Sequence, residues 1–376
     1  MASATHEPTS SGPSGSGGGS AHERRAAPSG RAVLERLISL REGSIIVVTI
    51  VVGIYFAANT STFFTSTNFK TLLPYFAPLA ILGVGEVFVL ILGEVDLSIG
   101  GMYMFAPIVF YKLDTAGLGL VPSLILAVLI CMVVGAINGA FVAILGVSSF
   151  VTTLGMLFGF EGLSLILSHG TPVATPGAQV HSVTVQAHHV VNGHSITLPE
   201  KVNHTGTFAN IFGAGVYSEL IWAIAIMVIL QVALTFTRWG LYTVSIGSNK
   251  LGAAEAGVKV KAVIIRNFVL AAGLAGLVGV FEAIRSQTIQ PDPSGPNELL
   301  LIAIAGAVIG GTLLSGGSGT VVGAFIGALF LGILKDGLIL QGVNANYLLF
   351  YTGIAIVVAM TANVYVGRVR RGHGGG

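Results

Sequence analysis

Charge is what this chain lacks most. Only 9% of its 376 residues are Asp, Glu, Lys or Arg, against 53% hydrophobic, where a soluble domain carries about 25% charged residues. A chain so short of polar side chains cannot face water on all sides, which excludes an ordinary soluble enzyme or binding module. Cysteine is nearly absent: Cys131 stands alone in an apolar stretch, so no internal disulfide forms and the thiol reads as a small buried hydrophobe. No lysine is both followed by Ser or Thr and preceded by a glycine-rich loop, which excludes a phosphate-cradling P-loop and ATP hydrolysis by this chain itself. There is no readable Ser/His/Asp or Cys/His nucleophile pattern and no H-E-x-x-H, so no enzyme, cofactor or nucleic-acid partner is expected. His169, His181, His188, His189, His194 and His204 share one polar segment, but their spacing fits no standard zinc pattern. His188 and His194 are the pair most able to converge, yet the segment reads as a solvated loop and no metal is assigned.

What is present is a series of apolar runs. About 20 apolar residues span a bilayer as a helix, and ten candidates occur at 44–58, 72–92, 97–113, 120–145, 149–168, 217–236, 263–284, 298–314, 319–335 and 344–366. The expected fold is an all-α, polytopic transmembrane bundle of about 10 spans over residues 44–366. Residues 1–43 read as a disordered Ser/Gly-rich tail ending in a basic stretch, with no apolar leader, and 367–376 as a short basic, Gly-rich tail. With ten spans, thirteen Lys and Arg fall on the side of both termini; Lys70, Lys112, Lys201, Arg285 and Lys335 fall on the other. The positive-inside rule therefore places both termini in the cytoplasm. Segment 169–216 then lies outside. Segment 238–262, amphipathic and basic, lies inside and is expected to hold a short surface helix.

Many of the 52 glycines sit inside apolar runs, where small residues let helix backbones approach. Gly135/Gly139, Gly155/Gly159 and Gly306/Gly310 have small-xxx-small spacing, as do Gly319, Gly323 and Gly327; they read as bundle or dimer seams.

Ionisable residues within spans are costly and functional by default. Glu94 and Asp96 interrupt the apolar run in Ile91-Leu92-Gly93-Glu94-Val95-Asp96-Leu97-Ser98-Ile99-Gly100-Gly101. Two readings stay open: a tight cytoplasmic turn in which Asp96 caps the next helix, or a broken helix whose backbone lines a translocation path. Glu86, Glu161, Glu282 and Arg285 are further candidates for a polar cavity, Glu282 and Arg285 being spaced to pair with each other.

The stretch Gly93–Gly101 resembles the G-[GE]-[IV]-D-L-S-[IV]-G motif of ribose- and xylose-type ABC transporter permeases. Gly135-Ala136-Ile137-Asn138-Gly139, then Val147–Met156, then Gly162-Leu163 and Gly170-Thr171-Pro172-Val173, follow that family's order. Ile246-Gly247-Ser248-Asn249 through Ala253 to Gly257-Val258 is similar to its I-G-x-N-x-x-A-A-x-x-[SA]-G-[IV] loop, and Gly310–Thr320 closes the match. Leu314–Ser318 also looks like the signature loop of ABC-type ATPases, but without a P-loop that likeness is a decoy.

The resemblance implies a permease working as a pair, most simply a homodimer, over two ABC ATPase subunits, with an extracytoplasmic sugar-binding protein delivering substrate to the inner-membrane bundle. It implies that Gly247, Asn249, Ala253 and Gly257 form the ATPase-coupling loop, and that Glu94, Asp96, Ser98, Gly100 and Asn138 belong to a translocation path or broken-helix motif. Because the receptor supplies specificity, few aromatic or charged sugar-clamping residues are expected, and no cluster stands out.

The match has departures. Ser148 and Ser149 stand where the family usually has Pro, Leu251 and Gly252 where the loop has Glu-Ala, and the external segment is longer than is typical. Glu94 in place of Gly points to xylose-like members, hence to a pentose. An ion-coupled carrier using Glu86, Glu94, Asp96 and Glu161 is the rival reading, as is a branched-chain amino-acid permease. The former has no use for the 247–257 loop; the D-L-S and S-G-G-x-G motifs tilt against the latter.

Overall fold

The computed structural model describes residues 42–178, 181–191, 194–204 and 206–373. The tail assignments therefore fall largely outside the described residues. Each of the ten apolar runs carries a helix: α1 Gly43–Asn59, α2 Ser66–Ile91, α3 Ser98–Thr115, α4 Leu120–Ala143, α5 Ser149–Ser168, α7 Ser218–Phe236, α10 Val260–Ser286, α11 Ser294–Ile309, α12 Val321–Leu340 and α13 Ala345–His373. Six of them (α2, α4, α5, α7, α10 and α12) are long and apolar enough to cross a membrane. Among the described residues there are also three short helices: α6 Thr207–Ile211, α8 Arg238–Ser248 and α9 Lys250–Glu255.

Helix starts follow from local chemistry. The side chains of Thr65, Thr237, Asn249 and Thr320 accept the N–H groups of Asn68, Gly240, Gly252 and Gly323, serving donors that a first turn leaves orphaned. Several boundaries differ from expectation: α2 begins at Ser66 where 72 was expected, α12 runs to Leu340 beyond 335, and α13 to His373 beyond 366. The apolar run 298–314 suggested a helix to 314, but α11 stops at Ile309; Gly311 turns the chain at φ +100°, and 310–320 is an irregular loop.

At the centre α2 is the most enclosed helix, and α3 and α10 are also largely buried. α10 packs on α2, α3 and α4, while α2 packs on α11 and α12. Peripheral α4, α5 and α7 expose Val133, Ile166 and Ile229, as expected of a surface solvated by lipid chains. The glycine pairs divide by place. A Cβ on Gly135 would stand 2.5 Å from the Phe268 carbonyl oxygen, and one on Gly139 2.6 Å from Ile265 Cα, so these glycines set the α4–α10 spacing. Gly306 and Gly310 similarly seat Gly327 and Gly323 of α12. Gly155 and Gly159 differ: a Cβ there meets nothing within 4 Å, because α5 lies at the edge of the bundle. Gly135→Val should cost about 1–3 kcal/mol through overpacking, and Gly155→Val less than about 0.5 kcal/mol. Thermal unfolding of the detergent-solubilised protein checks both, and equal effects would sink the distinction.

The segment after α5 is more ordered than a solvated loop. Val173–Ala174 (β1) pairs antiparallel with Thr288–Ile289 (β4) just beyond α10, and the Thr175 hydroxyl donates to the Ala283 carbonyl at 2.7 Å. His181–Val191 (β2) and His194–His204 (β3) form an antiparallel ribbon, a β addition to the otherwise helical fold. Its register sets His188 opposite Thr197 and His194 opposite Val191, three rungs apart, while His181 faces His204. α10 starts beside α9 and rises about 40 Å over its length, so the short strands stand at the opposite end of the bundle from α8 and α9.

Candidate functional site

The break between α2 and α3 is built from side chains that replace missing helix bonds. Gly93, at φ +77°, turns the chain out of α2. Beyond it the Val95 N–H donates to Ser149 Oγ at 3.3 Å and the Leu97 N–H to Thr153 Oγ1 at 3.0 Å. Asp96 Oδ1 accepts from the Ser98 N–H at 2.9 Å and from its hydroxyl at 2.5 Å, and Ser98 Oγ accepts from Asn138 Nδ2 at 2.7 Å. Asp96, Ser98, Asn138 and Thr153 have no exposed surface. The break is thus sewn to α4 and α5 by a buried polar chain. Gly100, one turn on, lets α3 approach Leu157 of α5 and Asn297 of α11.

Asp96 therefore serves the N–H of the first residue of α3, although the N-cap position itself is Leu97, which makes no side-chain capping bond. These bonds use only one of its oxygens. Asp96 Oδ2, Asn138 Oδ1 and both carboxylate oxygens of fully buried Glu86 find no hydrogen-bond partner among the described residues. Orphaned buried acceptors are uncommon and costly in a packed interior. Glu161, also buried, lies eight residues beyond Thr153 on α5.

The segment expected as one surface helix is two, α8 and α9, meeting at Asn249. α8 buries Gly240, Thr243 and Ile246, a stripe of every third residue, and is held by Asn267 of α10. Asn267 Nδ2 donates to the Phe88 carbonyl at 2.7 Å and to Thr243 Oγ1 at 3.3 Å, while its Oδ1 accepts from the Trp239 indole at 2.6 Å. Trp239 also packs on Phe88, ring centres 5.0 Å apart, with the Arg266 guanidinium over its ring.

At the end of α8 three chain segments converge. The Gly317 N–H donates to the Ile91 carbonyl at 2.8 Å and the Ser248 hydroxyl to the Gly317 carbonyl at 3.4 Å. A Cβ on Gly247 would meet the Ile91 carbonyl oxygen and the Gly317 nitrogen. Lys250 Nζ lies 3.9 Å from Glu94 Oε1, tying the start of α9 to the break; so exposed a pair is worth little in energy and serves as a positional link. Asn249 caps α9, Ala253 is its buried anchor, and Gly257 turns the chain away at φ +84° beside open space.

Motifs read separately at 93–101, 246–258 and 310–320 thus form one junction. Asn267 is a structural member of it that no motif included, and Thr153, within the Val147–Met156 motif, gains its role only from the fold. The signal for Asn267 was available, since a lone amide in an apolar run needs partners. At the far end Glu282 and Arg285 pair as expected, the guanidinium donating through Nε to Glu282 Oε2 at 2.9 Å and through Nη2 to Oε1. Glu219 of α7 also lies 3.7 Å from Arg285 Nε.

Residues 68–360 match the family described as branched-chain amino acid transport system / permease component. Among curated proteins, the xylose/arabinose import permease protein of Sulfolobus acidocaldarius is 31% identical over 87% of this chain and 86% of its own. The ribose import permease protein of Escherichia coli is 28% identical over 88% and 96%. The D-allose transport system permease protein of the same organism is 28% identical over 85% and 90%. No solved structure matches. The chain is a multi-pass membrane protein that belongs to the branched-chain amino acid transport system permease family, and within it resembles the import permeases for simple sugars.

Proposed function

We propose that this chain is the membrane-spanning subunit of an ATP-driven importer for a monosaccharide, with a pentose such as xylose favoured. The observation that carries the substrate class is end-to-end similarity to permeases named for xylose and arabinose, ribose and allose. The lean toward a pentose rests on Glu94 and on the 31% identity with the xylose/arabinose permease.

ATP hydrolysis belongs to separate ATPase subunits in this reading. The α8–α9 platform supports it, because α9 presents an exposed surface while its buried side is joined to the α2–α3 break. Ten helices and the excess of Lys and Arg on the side of α8 and α9 support ten spans with both termini cytoplasmic. Closure of the ATPase pair on nucleotide pushes α8 and α9. The Gly247 contact passes that movement to Ile91–Gly93, and the Asp96–Ser98–Asn138 chain passes it to α3 and α4. The bundle then opens outward to take sugar from an extracytoplasmic binding protein, and hydrolysis resets it. A second copy completes the path, with the unpartnered Gly155/Gly159 face of α5 as the candidate seam.

Mild solubilisation from native membranes and affinity capture tests the assembly. The expected result is an ABC-type ATPase and a sugar-binding protein, with two permease copies per ATPase pair, and pentose uptake that survives an uncoupler while ATP stays high. A chain that comes down alone, with uptake that collapses on uncoupling, would instead make it an ion-coupled carrier.

A further inference from the structure

Two cavities, of 260 and 330 Å³, adjoin at the end of the bundle remote from α8 and α9, and share Tyr103, Glu282, Gly295 and Leu299 as walls. Together they fall within the size range of small-molecule sites, about 300–1,000 Å³. The larger polar wall comes from six helices: Tyr75 of α2, Tyr103 of α3, Glu282 and Arg285 of α10, Glu298 of α11, Lys335 of α12 and Thr352 of α13. No two adjacent motifs supply them, which is why no clamp was visible in the sequence.

The charges are arranged in pairs. Arg285 is gripped by Glu282 and backed by Glu219. Lys335 Nζ lies 3.8 Å from Glu298 Oε1 and 5.2 Å from the centre of the Tyr75 ring. Of the residues lining the two cavities, three are carboxylates, Glu282, Glu298 and Asp292, and two are cations, Arg285 and Lys335, both already engaged. An anion would meet net negative charge, and an amino-acid zwitterion would find no unpaired cation for its carboxylate. A neutral polyol is suited. A carboxylate–guanidinium pair keeps spare N–H donors and spare oxygen lone pairs on one rigid wall, matching hydroxyls that both donate and accept. The tyrosines add flat apolar faces with a polar tip, as the C–H face of a sugar ring requires.

We infer that this double cavity is the site where the bundle receives the sugar, with the Glu282–Arg285 pair and Tyr103 reading its hydroxyls and Gly295 leaving room for its ring. The inference rests on the importer reading above and adds where, and by which residues, the sugar is held.

Gly295 allows a direct test. It lines both cavities at an exposed position, and a Cβ there meets nothing within 4 Å, so a larger side chain is accommodated at their mouth and narrows it without displacing backbone. In proteoliposomes holding permease, ATPase and loaded receptor, Gly295→Leu is expected to cut maximal uptake by about tenfold or more. Gly295→Ala should cut it less, and more for a hexose than for a pentose. Sugar affinity of the receptor and ATP hydrolysis stimulated by it should not change. Wild-type uptake by Gly295→Leu would overturn the site while leaving the importer reading intact. A wild-type assembly that imports no monosaccharide would overturn both. If Gly295→Leu fails to co-purify with the ATPase, Tyr103→Phe decides, since it keeps ring and volume and removes one hydroxyl. Reduced maximal uptake with normal receptor-stimulated hydrolysis supports the site, and unchanged uptake overturns it.

Discussion

Gly247→Ala is expected to stop transport while leaving the chain inserted and its helices formed. The added methyl would be driven against the Ile91 carbonyl oxygen and the Gly317 nitrogen. Both are backbone atoms, and Gly317 already bonds Ile91, so neither can swing aside as a side-chain end would. Either α8 lifts away or the 310–320 loop gives way. The strain is on the order of 1–3 kcal/mol, small beside the packing of a ten-helix bundle but placed where the proposed coupling passes. The measurement is sugar uptake set against ATP hydrolysis in the reconstituted complex: uptake should fall at least about tenfold, a loss of roughly 1.4 kcal/mol in coupling, while basal hydrolysis persists. Gly257→Trp supplies the contrast. Its side chain meets open space, so it disturbs the bundle only by the backbone cost of a positive φ, about 1 kcal/mol, and acts on whatever docks against α9. It should lower capture of the ATPase, whereas Gly247→Ala should not. Normal uptake by Gly247→Ala would remove the α8 contact from the mechanism.

The parts of this fold that could be read from the sequence are those where one physical signal dominates. Apolar length located ten helices, because a bilayer rewards little else over 20 residues. It misplaced the end of α11, since apolarity continues to Leu314 while Gly310 and Gly311 end the helix. The ribbon at 181–204 was legible but unread: Val183, Val185 and Ala187 alternate with polar residues, and Asn192-Gly193 is the strongest short hairpin signal. The break at 92–97 was recognisable from Glu94 and Asp96. Its fastening to Ser149 and Thr153 was not, because hydroxyls in an apolar helix commonly bond their own i−4 carbonyl, as Thr153 also does. The double cavity illustrates the general limit. Its polar residues are spread from position 75 to 352, and only tertiary packing brings them together.

Asn267 carries the largest stability effect expected of a single side chain at the junction. Asn267→Leu keeps the volume close to that of the amide but removes three hydrogen bonds at once. It leaves the Trp239 indole N–H, the Phe88 carbonyl and the Thr243 hydroxyl to find new partners where Asn267, Phe88 and Thr243 have no exposed surface and Trp239 is half-buried. Each hydrogen bond is worth about 0.5–1.5 kcal/mol net, and an orphaned buried donor costs about 1–3 kcal/mol more. Lipid-embedded pairs run lower, averaging about 0.6 kcal/mol. The expected loss is therefore about 2–4 kcal/mol, reduced to the extent that the Thr243 hydroxyl, which also donates to the Trp239 carbonyl, needs no replacement. Asn267→Asp discriminates between lost polarity and lost geometry: the carboxylate still accepts from Trp239 but sets an oxygen against the Phe88 carbonyl. It should therefore fall as far as the leucine variant or further. Thermal unfolding in detergent reads the stability, and protease access at 238–248 reads whether α8 has come away from α2 and α10. A leucine variant with unchanged stability and a protected α8 would mean that Trp239 stacking on Phe88, without the amide, fixes α8 to the bundle.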